Sequence, residues 1–254
     1  MLGYFGTATD VGQYAAVFII TQLISLFGAA LGQTLGTGIA ALHQNSDLLG
    51  MESLLAENIR WTTLVSAPVF AGIVFWGDRI DLLLGPSFVV DAHVVMIVGA
   101  TQLMFTIFAC SGYALSMTGW HVIETGILAV GLLISVLMCL LLVPSYGQVG
   151  AALASFTAFS GVNVLRYIIV RKLFRIDPVR LNVVATILVA VGVAAGTYLF
   201  FRSIDLRTIF STMLSGSIFV SIYLVLAWSA LLSRGERTII LEWIKKTRVE
   251  RRGD

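Results

Sequence analysis

His121–Val143 reads HVIETGILAVGLLISVLMCLLLV, Pro144–Gly147 is PSYG, and Gln148–Arg171 reads QVGAALASFTAFSGVNVLRYIIVR. Each apolar run is close to the ~20 residues an α-helix needs to cross about 30 Å of hydrocarbon. Strands of a membrane β-barrel would be about half as long and would alternate in polarity. The short segment between the runs has room only for a turn, so the stretch predicts two successive membrane helices. Working outward, the same reading applies to 14–38, 60–77, 94–117, 181–201 and 209–232, giving seven spans. Composition agrees, with 58% hydrophobic and 12% charged residues among 254 and a mean hydropathy of +0.94. A soluble domain carries about 25% charged residues because it faces water on every side. The fold class expected is an all-α polytopic transmembrane bundle. Cys110 and Cys139 both fall inside apolar stretches, where a thiol acts as a small hydrophobe rather than a disulfide or metal partner.

Lys and Arg near span ends stay on the cytoplasmic side. Arg166, Arg171, Lys172, Arg175 and Arg180 lie between the fifth and sixth spans. Arg234, Arg237, Lys245, Lys246, Arg248, Arg251 and Arg252 follow the seventh. With Arg60, thirteen of the sixteen basic residues then sit on one side, and the C-terminus is expected in the cytoplasm. Alternation puts the Pro144–Gly147 turn and the Asp78–Asp91 loop outside, the turn at Gly119 and the His43–Glu57 segment inside, and the N-terminus outside. An external N-terminus with no signal-like segment suggests that an earlier span precedes residue 1. Asp47 is read as the N-cap of an amphipathic inner-surface helix bearing Leu48, Met51 and Leu55. Pro68 predicts a kink in the second span. Ile80 and Leu82–Leu84 are read as dipping into the outer interface. Ile239, Ile240, Trp243 and Ile244 form an apolar stripe opposite Lys245, Lys246 and Arg248, as in a helix lying on anionic lipid heads.

Gly28, Gly32 and Gly36 recur every fourth residue, placing small side chains on one helix face where another helix can pack closely. Gly192 and Gly196 repeat the pattern more weakly. Polar groups within spans are the candidates for function, because hydrocarbon exacts a cost for each. Gln22, Gln33, Gln102 and Asn163 either bond across helices or line a path for a polar solute. His121 and Glu124, three apart, are expected on one helix face, with Glu124 able to couple an ion or proton or to sit solvated at head-group level. Arg60 and Arg166 enter inner span ends, where they either snorkel or turn inward to hold a phosphate. No nucleophile elbow, phosphate loop, metal-ligand spacing or catalytic carboxylate pair occurs at a plausible site, so neither an enzyme nor a cofactor or metal is expected. Nucleic acid is not an expected partner.

Several segments together resemble a known family. They are Asp10-Val-Gly-Gln-Tyr-Ala-Ala16, the acidic stretch Asp47–Glu57, the loop 77–88, Gly112-Tyr-Ala-Leu-Ser-Met-Thr-Gly119 and Leu142-Val-Pro-Ser-Tyr-Gly-Gln-Val-Gly-Ala-Ala152. In this order, over about residues 2–175, they resemble the C-terminal half of the Wzx-type oligosaccharide-lipid flippases, the polysaccharide-biosynthesis branch of the MOP superfamily that also holds MATE exporters and MurJ. The resemblance implies fourteen helices in two lobes plus two extra, and these seven spans as the last seven. It then divides the chain into 1–12, the external end of a preceding span; 13–175, five spans of the C-terminal lobe; 176–232, the two additional spans; and 233–254, a basic cytoplasmic tail. It further implies movement of undecaprenyl-diphosphate-linked oligosaccharide across a bacterial inner membrane for O-antigen or other surface polysaccharide, as part of a protein with an N-terminal lobe. Membrane lipids and that lobe are the implied partners. Arg60 and Arg166 would meet the diphosphate, and Gln22, Gln102 and Asn163 the sugar hydroxyls. The competing readings are a MATE-like drug/cation antiporter using Glu124, and a membrane polymerase or ligase. The second would want a larger outer loop than Asp78–Asp91.

Overall fold

The computed structural model describes residues 2–77, 91–178, 182–202 and 209–231, together with Arg237. The expected interfacial elements at 80–84 and 239–248 lie outside the described residues. After one helical turn at Leu2–Phe5 come α1 (Ala8–Thr21), α2 (Leu23–Gln44), α3 (Leu48–Trp76), α4 (Ala92–Met117), α5 (His121–Phe174), α6 (Asn182–Arg202) and α7 (Ile209–Leu226). A turn of π-helix over Ala227–Leu231 ends the last.

Six described helices are long and apolar enough to cross a membrane, but α5 has 54 residues. A straight helix of that length would reach about 80 Å at 1.5 Å per residue, far beyond a bilayer. Gly147 breaks it, with φ 54° and ψ −124°. An L side chain at such a positive φ would be strained, so glycine is what lets the chain reverse there. The limbs 121–146 and 148–174 then fold against each other. A Cβ on Gly131 would strike Val162, and Glu124 pairs with Arg166. The chain is thus a multi-pass all-α membrane bundle with seven apolar crossings among the described residues.

Cross-helix contacts show the alternation of chain direction. Gly28, Gly32 and Gly36 face Thr106, Tyr113 and Met117 in turn, so α2 and α4 run parallel. Ser66 Oγ donates to the Ile24 carbonyl at 2.7 Å, Trp76 Nε1 to Ser215 Oγ at 2.8 Å and Arg60 Nη2 to the Leu231 carbonyl at 2.7 Å. These bonds align α3 antiparallel to both α2 and α7. His43 packs edge-on against Phe174 at 6.0 Å, gathering the ends expected to be internal on one side.

Two expectations need correction and one is extended. The helix that carries the apolar run 14–38 is longer than the run: it starts at Ala8, because Thr7 and Asp10 form a capping box, and continues beyond a one-residue interruption at Gln22 to Gln44. The Gly192/Gly196 pair makes no close approach, since a Cβ on either would meet nothing within 4 Å. That helix instead buries Ala190 and Ala194, both 0% exposed, against Ala67, Ala71 and Phe219. His121 and Glu124 do not share an environment: His121 is exposed and Glu124 buried. Their offset of about 60° around the helix is enough to turn one toward the bundle and the other out.

Other expectations hold. Asp47 caps α3, accepting from the Gly50 amide at 2.8 Å, and the helix leads from Leu48 directly into the second span. Met51 and Leu55 are fully buried. The Gly28/Gly32/Gly36 face is a packing face, with a Cβ on Gly32 only 2.7 Å from the Tyr113 ring.

Candidate functional site

Among the described residues Gln148 ties α5 to α1 by donating to Asp10 Oδ1 at 3.0 Å and Gln13 Oε1 at 2.9 Å, and two further polar clusters hold most of the candidate residues. The first joins the limbs of α5. Arg166 donates from Nε to Glu124 Oε2 at 3.1 Å and from Nη2 to Glu124 Oε1, while Nη1 donates to Asn163 Oδ1 at 3.3 Å. The two charged side chains are 9% and 10% exposed. Gly112 of α4 makes room for them: a Cβ there would come within 3.2 Å of the guanidinium carbon. The carboxylate is met by two parallel N–H groups of one guanidinium, the strongest geometry for such a pair. Charge is matched inside the protein, and the remaining loose end is Asn163 Nδ2, fully buried with no partner.

The second cluster is a cavity of about 230 Å³ among α1, the start of α2, α4 and the second limb of α5. Gln22 and Gln102 both line it, with Ser25, Thr101, Tyr14 and Ser155 supplying hydroxyls and Phe18, Phe105 and Phe159 aromatic walls. Val98 and Phe105 lie about 9 and 20 Å along α4 from Ala92, so the cavity occupies the half of the membrane nearer that end. Gln102 is 9% exposed, and its amide makes no hydrogen bond to protein. In hydrocarbon an amide without a partner costs about 1–3 kcal/mol, so a polar group entering the cavity would gain by meeting it. Gln22 sits where α1 meets α2, and its carbonyl accepts both the Ser25 amide (3.0 Å) and the Ser25 hydroxyl (2.9 Å). The local tightening aims the Gln22 side chain from the same end of the face as Phe18 and Tyr14.

Seven polar candidates therefore separate. Gln22 and Gln102 come together in the cavity. Glu124, Asn163 and Arg166 come together in the ion-pair cluster. Arg60 stands apart, bonded to the end of α7, and His121 is exposed at the start of α5. The hydroxyls and rings of the cavity were missed by a reading that ranked residues by polarity alone. The signal was the spacing Tyr14, Phe18, Gln22, Ser25, which puts all four on one helical face.

A third feature is an apolar groove of about 730 Å³ between α3 and α7, walled by Pro68, Gly72, Trp76, Phe219, Tyr223 and Trp228 among others. Two of its polar groups are used within the protein: the Tyr223 hydroxyl donates to the Leu64 carbonyl at 2.7 Å and the Trp76 indole to Ser215. Among the described residues no group of His, Cys, Asp and Glu is placed to hold a metal.

No protein-family model matches the chain, and no solved structure matches it. Over 166 residues, 65% of its length, the chain is 23% identical to the probable low-salt glycan biosynthesis flippase Agl15 of Haloferax volcanii. It spans 35% of that protein's length. The chain is therefore a multi-pass membrane protein similar to a glycan biosynthesis flippase.

Proposed function

We propose that this chain takes part in moving a lipid-linked glycan across a membrane, without covalent chemistry, in the manner of the Wzx-type flippases it resembles. The observation that carries the reading is the neutral cavity, where the exposed Gln22 amide and the largely buried Gln102 amide border one space that opens to the bundle surface. A sugar is a dense array of hydroxyls, and an amide offers two donors and an acceptor to such an array. The similarity to a glycan flippase supports the same class of cargo. The groove between α3 and α7, walled mostly by apolar side chains, offers a surface for a hydrocarbon chain.

The finer reading is a prenyl diphosphate carrier, undecaprenyl diphosphate in a bacterial inner membrane, with surface polysaccharide such as O-antigen as the product. A diphosphate needs positive charge in a partly dehydrated site. In this proposal that role falls to Arg60, because the Arg166 guanidinium is engaged by Glu124. With the Lys/Arg bias setting the C-terminus inside, the cavity faces the outer half of the membrane, on the side where the glycan is released. A second lobe would complete the path, so a complementing gene has to encode that lobe together with this chain.

The test is complementation of a flippase-null strain with a gene encoding this chain and that lobe. Restored surface glycan is the expected result. Its absence, with the protein present in the membrane by immunoblot, would refute the proposal.

A further inference from the structure

No charged side chain lines the cavity, and this limits what can enter it. We propose that it binds one uncharged pyranose ring at a time and discriminates against acidic sugars, with Gln22 and Gln102 as the residues that set this selectivity. The source of the ring rests on the glycan reading above; the selectivity rests on the cavity alone.

Size comes first. Small-molecule sites commonly enclose about 300–1,000 Å³. At about 230 Å³ this cavity has room for one ring and not for several.

The direction of each hydrogen bond comes next. Ser25, Thr101 and Ser155 donate their hydroxyl protons to carbonyls of their own helices, at Gln22 (2.9 Å), Ile97 (2.8 Å) and Ala151 (3.0 Å). With those protons used, the three oxygens face the cavity as acceptors. The Tyr14 hydroxyl lies 3.4 Å from Ser155 Oγ, and since the Ser155 proton is already committed, Tyr14 is the donor there. The free donors are thus the two amide NH₂ groups, set among several acceptor oxygens. Sugar hydroxyls suit this array, because each can give a proton to an acceptor and take one from an amide.

A carboxylate does not suit it. It accepts only, so it could take protons from the two amides but would be repelled by the hydroxyl oxygens, and it would enter the site without a counter-ion, the most costly way to bury a polar group. Arg166, the cation of the other cluster, is held by Glu124. Phe105 and Phe159 stand edge to face at 6.0 Å on the rim, and with Phe18 they offer aromatic faces, whose negative quadrupole suits the C–H face of a pyranose.

Saturation-transfer NMR on the purified chain in lipid nanodiscs tests this, with methyl β-D-glucopyranoside and methyl β-D-glucuronide as probes. Transfer to the glucoside ring protons, at least tenfold weaker for the glucuronide, is the expected result. Gln22→Leu with Gln102→Leu should reduce the glucoside signal at least tenfold, and Gln102→Met, of matched length, guards against a folding defect. Equal transfer to both probes, no transfer to either, or a signal indifferent to the glutamine variants would overturn the proposal. A chain that separates the two glycosides yet restores no surface glycan keeps this inference and removes the transport reading. Restored glycan with indifferent glutamines does the reverse.

Discussion

The charged cluster of Glu124, Asn163 and Arg166 and the neutral cavity of Gln22 and Gln102 have opposite logic. In the first, the most conspicuous polar residues of the chain neutralise each other and tie the two limbs of α5 together. In the second, weaker polar groups are left without protein partners. The magnitudes explain the division. An uncompensated charge in a low-dielectric interior costs several kcal/mol, so a bundle must match it within its own structure to fold. An unpartnered amide costs about 1–3 kcal/mol, which a stable bundle tolerates while waiting for a ligand. In this molecule the matched charges form a structural joint, and the neutral cavity is the site we propose.

The sharpest way to break that contrast is to remove one partner of the ion pair. Arg166→Ala leaves Glu124 buried and unpaired and should destabilise the protein by about 3–5 kcal/mol. Replacing both, with Glu124→Leu and Arg166→Met, should recover most of the loss. Thermal unfolding in detergent reads both variants, and a near-parental Arg166→Ala would return that arginine to the list of ligand-binding candidates. The packing face gives the next largest effect. Gly32→Leu must displace the Tyr113 ring and should cost about 1–3 kcal/mol, more than Leu31→Ala on the neighbouring face. Equal small shifts would mean that α2 and α4 do not need their close approach.

The crossings were legible from hydropathy, and so was the small-residue face at Gly28, Gly32 and Gly36. The start of α1 was legible but unread: Thr7 and Asp10 are a capping box in sequence, and they move the helix start to Ala8. The Glu124–Arg166 pair was also within reach, because counting outward from the turn near Gly147 sets the two residues opposite each other in an antiparallel hairpin. The meeting of Gln22 with Gln102 was not. Helices α2 and α4 run parallel with a third helix between them in sequence, and no local pattern states which parallel neighbours touch. Burial of Arg166 was likewise hidden, since the sequence allows a long side chain at a span end to snorkel.

Outside the hydrocarbon a smaller, pH-dependent effect separates ordinary capping from the buried pair. The Asp91 carboxylate accepts the His93 amide at 2.8 Å and lies 2.8 Å from its ring, and these bonds, the backbone one foremost, hold its pKa below the usual carboxylate range. A lowered folded pKa means that the stabilisation is present above the unfolded value of ~3.9 and is lost as pH falls through the folded value. Asp91→Ala should cost about 1 kcal/mol at neutral pH. Asp91→Asn should keep the cap but flatten the fall in melting temperature below about pH 4, leaving the part due to Asp10, whose pKa is lowered by its bonds to Thr7. An unchanged acid slope in Asp91→Asn would remove this cap from the account.

The smallest effect on stability should accompany the largest on function. Gln22→Leu with Gln102→Leu removes two amides that lack protein partners, so the melting temperature should hold or rise. The most direct measurement is surface glycan in a flippase-null strain carrying the gene for this chain and its second lobe, with and without those two changes, at matched membrane levels. The account predicts glycan from the parent and its loss in the double variant, with thermal stability unimpaired. Undiminished glycan from a stable double variant would contradict it and move the site elsewhere in the bundle.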